Sequence, residues 1–130
     1  MKKAFITGIT GFAGSFLAEH LVREGYEVSG TYLTRDSLKN IESISNQVRL
    51  HEVDLQDAGA VRVIIAEEKP GSIFHLAALT APGESFENPS DFITNNIIAQ
   101  VNLLEAVRKA QISPRMLIVS SAEVYGNVAA

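Results

Sequence analysis

Short apolar runs alternate along this chain with longer segments whose apolar residues recur every three to four positions. Lys3-Ala-Phe-Ile-Thr7 is a run closed by glycine, which predicts a buried strand. The period then changes. Phe12, Phe16, Leu17 and Leu21 share one face of a helix predicted over Phe12 to Glu24, and Gly25 stands where a helix C-terminal glycine belongs. Glu27 to Tyr32 is a second predicted strand and Val48 to Val53 a third. Asp57 to Glu68 is a second helix, stopped by Lys69-Pro70-Gly71, and Ser72 to Ala77 a fourth strand. The longest helix, Asp91 to Lys109, carries the stripe Ile93, Ile97, Val101 and Leu104, and Arg115 to Ser121 closes the series as a fifth strand. Strands alternating with helices imply βαβ units, hence a parallel sheet with helices on both faces. Right-handed crossovers leave 3-2-1-4-5 as the natural strand order, so residues 1–130 are expected to form one doubly wound α/β domain.

Composition narrows what such a domain does. With 130 residues and 46% hydrophobic side chains, the chain is no disordered tail; a domain of this length buries about two-thirds of its unfolded surface. A net charge of −4 argues against a nucleic-acid partner, which requires a cationic stripe. No apolar run approaches the roughly 20 residues of a membrane span, so no membrane association is expected. Gly8, Gly11 and Gly14 break the apolar stretch after Met1-Lys2-Lys3 too early for a signal peptide. The absence of cysteine removes disulfides, thiolate nucleophiles and thiolate-bound metals together, which suits a cytoplasmic enzyme. His20, His51 and His75 are scattered, unlike a metal site.

The informative chemistry lies between the first strand and the first helix, in Thr7-Gly8-Ile9-Thr10-Gly11-Phe12-Ala13-Gly14. Gly8 permits a tight turn, Gly11 lets backbone N–H groups approach a pyrophosphate, and Gly14 lets the helix pack close to the sheet. The phosphates are expected at the helix N-terminus, where unpaired N–H groups and the helix dipole favour an anion.

The spacing is Gly-x-x-Gly-x-x-Gly, and within Thr-Gly-x-x-Gly-Phe-x-Gly it resembles the extended short-chain dehydrogenase/reductases, the nucleotide-sugar epimerases, dehydratases and reductases built on a Rossmann domain. Four further stretches agree in order: Val53-Asp54-Leu55-Gln56-Asp57; His75-Leu76-Ala77-Ala78; Ser85 and Pro89 followed by Asn96 and Asn102-Leu103-Leu104-Glu105-Ala106; and Ser120-Ser121-Ala122-Glu123-Val124-Tyr125-Gly126. Within the superfamily, Ile6 to Phe12 and Gly25 to Thr31 look most like the GDP-mannose 4,6-dehydratases and GDP-4-keto-6-deoxymannose reductases.

The resemblance implies roles. Gly8, Thr10, Gly11, Phe12 and Gly14 form the phosphate loop of a nicotinamide dinucleotide site. Asp54 accepts a hydrogen bond from the adenine amino group and Leu55 packs beside the ring; the alternative for Asp54 is a helix cap, for which Asp57 is better placed. Leu76, Ala77, Ala78 and Asn96 complete the cofactor groove. His75 is expected to be a packed strand residue. Thr80 and Ser85, on the loop after the fourth strand, touch nicotinamide ribose or substrate, or merely cap the loop. Ser121 takes the serine/threonine position that hydrogen-bonds the reacting sugar oxygen, and Glu123 matches a glutamate that removes a proton in dehydratases. Ala122 stands where those enzymes carry an acid or serine, which points instead to reductase or epimerase chemistry.

NAD-preferring domains place an acid at the end of the second strand, about 20 residues past the glycines. Thr31-Tyr32-Leu33-Thr34-Arg35 has none, and Arg35, with Thr34 or Ser37, offers itself to a 2′-phosphate, so the expected cofactor is NADP(H), with NAD(H) possible. Asp36 leaves the alternative open: a one-residue shift gives it the ribose and makes Arg35 a surface charge. The family's general acid/base, the tyrosine of Tyr-x-x-x-Lys, is missing: Tyr26, Tyr32 and Tyr125 are followed four residues later by Gly30, Asp36 and Ala129. The chain is therefore expected to be the cofactor half of a longer, homodimeric enzyme acting on a nucleotide sugar, truncated before the last strands and inactive alone. Two alternatives stand beside it: a non-catalytic NADP(H)-sensing module, and a fragment whose open sheet edge drives self-association.

Overall fold

The structure, a computed structural model, describes residues 2–80 and 86–126; the side chains of residues 36, 122 and 123 fall outside the description. Five strands, β1 (Lys3–Thr7), β2 (Glu27–Tyr32), β3 (Val48–Glu52), β4 (Ser72–His75) and β5 (Arg115–Ile118), pair in parallel in the order β3-β2-β1-β4-β5. The Rossmann order expected from the alternation of elements is the one observed. Among the described residues they are connected by helices α1 (Phe12–Arg23), α2 (Ala58–Glu68) and α3 (Pro89–Lys109).

The sheet separates two cores. On one face Ala4, Ile6, Ile9 and Val28 pack with Ala18 and Leu21 of α1. On the other, Phe5, Leu55 and Ile73 pack with Val61 and Ile65 of α2 and with Ala99, Leu103 and Ala106 of α3. A ten-residue 3₁₀ segment, Arg35–Ile44, completes the first core, burying Ile41 and Ile44 with Leu38 packed beside them. It was not predicted, although its apolar residues recur every third position, the repeat of a 3₁₀ helix.

Two expected faces are corrected. Helix α1 docks through its smallest residues, Gly14, Ser15 and Ala18, with Leu21, while Phe12 and Phe16 are 81% and 62% exposed and pack on each other with ring centroids 5.1 Å apart. Close docking against the loop before the helix leaves no room for two rings. Helix α3 docks through Ala99, Leu103 and Ala106, so the row Ile93, Ile97, Val101 and Leu104 faces outward. Strand β4 also ends before the predicted Ala77, because the Leu76 and Ala77 N–H groups both turn to Thr7 Oγ1, at 3.1 Å each.

Beneath the end of α2, the β2–β3 side of the sheet is polar. Glu68, at the end of α2, is buried and binds Arg49 through both carboxylate oxygens, at 3.1 and 2.8 Å, and His51 Nε2 at 2.8 Å. Arg49 also pairs with Glu27, which lies 3.8 Å from Lys3 Nζ. Burial pushes the Glu68 carboxyl up, but hydrogen bonds from Arg49, His51 and Ser29 outweigh it and hold it below the ordinary glutamate value.

Candidate functional site

The carboxyl ends of β1 to β4 open into a cleft of about 310 Å³. The loop after β1 contributes Gly8, Thr10 and Gly11; the exit of β2 contributes Thr31 to Thr34 with Ser37; the exit of β3 contributes Val53, Asp54 and Leu55; the exit of β4 contributes Leu76 to Leu79; and α3 adds Asn95 and Ala99. In an open parallel α/β sheet this is where a ligand binds.

The loop after β1 is built by close backbone contacts. Gly8 has φ +69°, and a Cβ there would lie 3.1 Å from Ala77 Cα. A Cβ on Gly14 would stand 2.2 Å from the Gly8 carbonyl oxygen, so the close packing expected of this glycine is against the loop itself rather than the sheet. Gly11 N–H donates to Gly8 O at 3.0 Å, and the first bond of α1 runs from Ser15 N–H to Gly11 O at 2.9 Å. The N–H groups of Phe12, Ala13 and Gly14 precede that bond and form the anion-attracting end of the helix. Thr10 is pinned to the 3₁₀ segment: its carbonyl accepts from Asn40 Nδ2 at 2.9 Å and its hydroxyl lies 2.7 Å from Ser37 Oγ, which donates to Thr34 O at 2.6 Å.

The exit of β4 is held by Thr7. Its hydroxyl has one proton and two lone pairs. The Leu76 and Ala77 amides take the lone pairs, so the proton goes to His75 Nδ1, 2.7 Å away. His75 therefore carries its own proton on Nε2 and is neutral, and burial lowers its pKa in the same sense. It braces the strand exit that lines the cleft.

At the exit of β3, Asp54 Oδ1 accepts from Gln56 N–H at 2.9 Å, while Asp57 caps α2 by accepting from Ala60 N–H at 3.0 Å. Asp54 is thus left at the cleft. Asn102 Nδ2 donates to Leu55 O and Gln56 O. Asn96 holds the other loop: its Oδ1 accepts from Leu79 N–H at 2.8 Å and its Nδ2 donates to Leu79 O at 3.1 Å. A chain of amides, Gln56 to Asn95 to Asn96, links the two loops.

Of the residues expected to bind a cofactor, Gly8, Thr10, Gly11, Asp54, Leu55, Leu76, Ala77 and Ala78 share this cleft. Gly14 lies beneath the loop, Phe12 is exposed, and Asn96 acts through Leu79. Arg35 does not line the cleft; its Nε donates to Glu52 Oε2 at 3.3 Å. Thr80 is exposed beyond Leu79, and Ser121 is exposed past β5, its carbonyl accepting from Val124 N–H at 3.2 Å. Ser85 and the side chain of Glu123 lie outside the described residues. Asn95, Leu79, Thr31 and Ala99 were not singled out from sequence; only Asn95 had a signal, the neighbouring Asn96 of the matched motif. Among the described residues no group of acidic and histidine side chains is placed to hold a metal, and no helix is long and apolar enough to cross a membrane.

The family model described as GDP-mannose 4,6 dehydratase matches residues 5–130. A GDP-mannose 4,6-dehydratase of Vibrio cholerae serotype O1 is 34% identical over 139 residues, covering 98% of this chain and 37% of the relative. UDP-glucose 4-epimerase 2 of Arabidopsis thaliana is 36% identical over 134 residues, covering 96% of this chain and 38% of the relative. Among solved structures, the UDP-glucose 4-epimerase of Bifidobacterium longum in complex with NAD+ and UDP superposes with a TM-score of 0.85 at 28% identity, over 96% of this chain and 38% of that one. The chain thus spans a little over a third of the length of the relatives it matches. Sheet order and a family match over nearly the whole sequence lead to one conclusion: this chain belongs to the GDP-mannose 4,6-dehydratase family, among the nucleotide-sugar epimerases and dehydratases of Rossmann fold.

Proposed function

We propose that this chain is the dinucleotide-binding part of a nucleotide-sugar epimerase, dehydratase or reductase, and that its cleft takes NADP(H) in preference to NAD(H). The observation that carries this reading is the single cleft joining the Gly8–Gly11 loop to Asp54, Leu55 and Leu76–Ala78. The chain's own residues fit such a ligand. Backbone N–H groups at the start of α1 receive the pyrophosphate, Asp54 and Leu55 hold the adenine, and Ala77 and Ala78 leave room for the backbone of β4 to run beside the cofactor. Arg35, with Thr34 and Ser37, receives the 2′-phosphate.

A bound nicotinamide would supply hydride exchange with a sugar carbon. Ser121 then hydrogen-bonds the sugar oxygen, Glu123 serves as acid or base, and Thr80 and Ser85 contact the substrate. Without a Tyr-x-x-x-Lys pair the chain alone performs no turnover. In the whole enzyme the outward row on α3 packs against a second copy, giving a homodimer. The test is titration of the chain with NADPH and NADH. Saturable one-to-one binding, tighter for NADPH, is expected. No saturable binding of either by millimolar concentration overturns the reading, and turnover of a nucleotide sugar by this chain overturns its inactivity.

A further inference from the structure

Along the sequence no acid stands between the end of β2 and Arg35, which Asp36 follows. The sheet supplies one from the neighbouring strand. In the parallel register Tyr32 stands opposite Glu52, the last residue of β3. Glu52 Oε2 accepts a hydrogen bond from the Tyr32 phenol at 3.2 Å and another from Arg35 Nε at 3.3 Å. Tyr32 lines the cleft, so this carboxylate sits one side chain away from it.

We propose that Glu52 is a specificity-determining residue of the site, which tempers the preference for a 2′-phosphate by holding Arg35 in an ion pair. The proposal rests on reading the cleft as a dinucleotide site. Arg35 is the cation that a 2′-phosphate meets at the exit of β2, and its side chain is 81% exposed. An arriving phosphate must share that guanidinium with Glu52, and the two anions repel one another across it. A 2′-hydroxyl brings no charge and donates a hydrogen bond, the interaction for which other domains place an acid at the end of the second strand. The two residues therefore act in opposite senses: Arg35 favours NADP(H), Glu52 favours NAD(H), and the pair sets the ratio. The Glu52 contact uses Nε, the edge of the guanidinium remote from its two terminal nitrogens, so Arg35 remains able to present that fork to the phosphate.

The experiment is isothermal titration of the chain, of Glu52→Gln and of Arg35→Gln with NADP+ and with NAD+. In Glu52→Gln the ratio of Kd for NAD+ to Kd for NADP+ rises about tenfold, equivalent to about 1.4 kcal/mol. In Arg35→Gln it falls. Glu52→Ala, which removes the same charge without adding an amide, moves the ratio in the same direction as Glu52→Gln and guards against a poorly folded first variant. A ratio that stays within twofold of the parent's in both Glu52 variants, or that shifts toward NAD+, overturns the proposal while leaving the dinucleotide site standing. Failure of the parent chain to bind either nucleotide overturns both.

Discussion

Asn102, in the middle of α3, donates its side-chain amide to two successive carbonyls of the turn after β3, Leu55 O at 2.9 Å and Gln56 O at 3.0 Å. A helix on the face of the sheet thereby sets the shape of a loop at its edge. Asn96, six residues earlier, does the same for Leu79. Neither asparagine lines the cleft, yet each fixes a loop that does. Asn102→Ala leaves two carbonyls without their donor and is expected to lower unfolding stability by about 1–2 kcal/mol. Asn102→Asp is expected to cost more, because a carboxylate then faces the same two oxygens. Urea midpoints for the two variants check this. An aspartate variant as stable as the parent would show that the turn holds its shape without Asn102.

His75 gives the chain a pH dependence near neutrality. Its pKa in the folded chain is lowered by burial from the ordinary 6.5, so between those two values the unfolded chain binds a proton that the folded chain does not. Stability is complete above pH 6.5, falls as the pH drops through this window, and levels off below the folded value. Protonation also puts a hydrogen on Nδ1, where the Thr7 hydroxyl now donates. Urea unfolding at intervals from pH 7.5 to 5 reads the slope, and His75→Phe is expected to abolish it.

Glu68 produces a second and separate acid step. Its folded pKa is below the ordinary 4.5, so its contribution is present above that value and is lost as the pH falls through the folded one. Glu68→Gln removes the charge while keeping the size, and leaves Arg49 with Glu27 as its remaining acid partner. With Arg49 half exposed, the expected loss is about 1–3 kcal/mol. The variant's stability should fall less steeply than the parent's below pH 4.5, where Glu105, also held down by Arg108, still titrates, while the step due to His75 remains.

These groups show what a linear reading reaches. Strand runs, helix periods and the glycine loop are local, and local signals were enough for the order of the sheet and for the loop residues of the cleft; Asp54, Leu55 and Leu76 to Ala78 were reached only through the family resemblance. The docking face of α3 was not legible and that of α1 only through Leu17 and Leu21, because periodicity identifies an apolar face without saying what covers it. Phe12 and Phe16 look like core residues, yet Gly14 and Ala18 allow the close approach and the rings are left outside. The three-residue spacing of Leu38, Ile41 and Ile44 was there to be read as a 3₁₀ segment. Glu52 was out of reach for another reason: only the register of β2 on β3 brings it beside Tyr32. An acid absent from the end of β2 in sequence is present there in space.

Gly14→Ala tests the loop directly. The added methyl would stand 2.2 Å from Gly8 O and 2.9 Å from Ile9 Cα, both backbone atoms with little freedom to retreat. Overpacking of this kind costs about 1–3 kcal/mol, and displacement of the loop is expected to weaken dinucleotide binding at least tenfold. Gly59→Ala serves as the control, since its nearest neighbour is the Asp57 side chain at 3.3 Å and it lies away from the cleft. Equal binding by the two variants would show that the Gly8–Gly14 contact does not shape the site.

Two exposed apolar surfaces are candidates for a contact between copies of this chain. One is the row on α3, with Ile93, Ile97, Val101 and Leu104 between 58% and 40% exposed. The other surrounds the edge strand β5, where Leu117 and Val119 are 50% and 59% exposed and one side of the backbone ladder has no strand beside it among the described residues. The helical row is the stronger candidate, since its four branched side chains lie along one face of a helix, a surface that could meet itself across a two-fold axis. An edge strand of four residues offers few ladder bonds. Light scattering at rising concentration is therefore expected to show a dimer, and Ile97→Glu with Val101→Glu to return it to monomer. Leu117→Glu is expected to leave the dimer intact. The reverse pattern, or open-ended growth rather than a closed dimer, would place the contact at β5, and association would then reflect an uncovered sheet edge instead of the helical row.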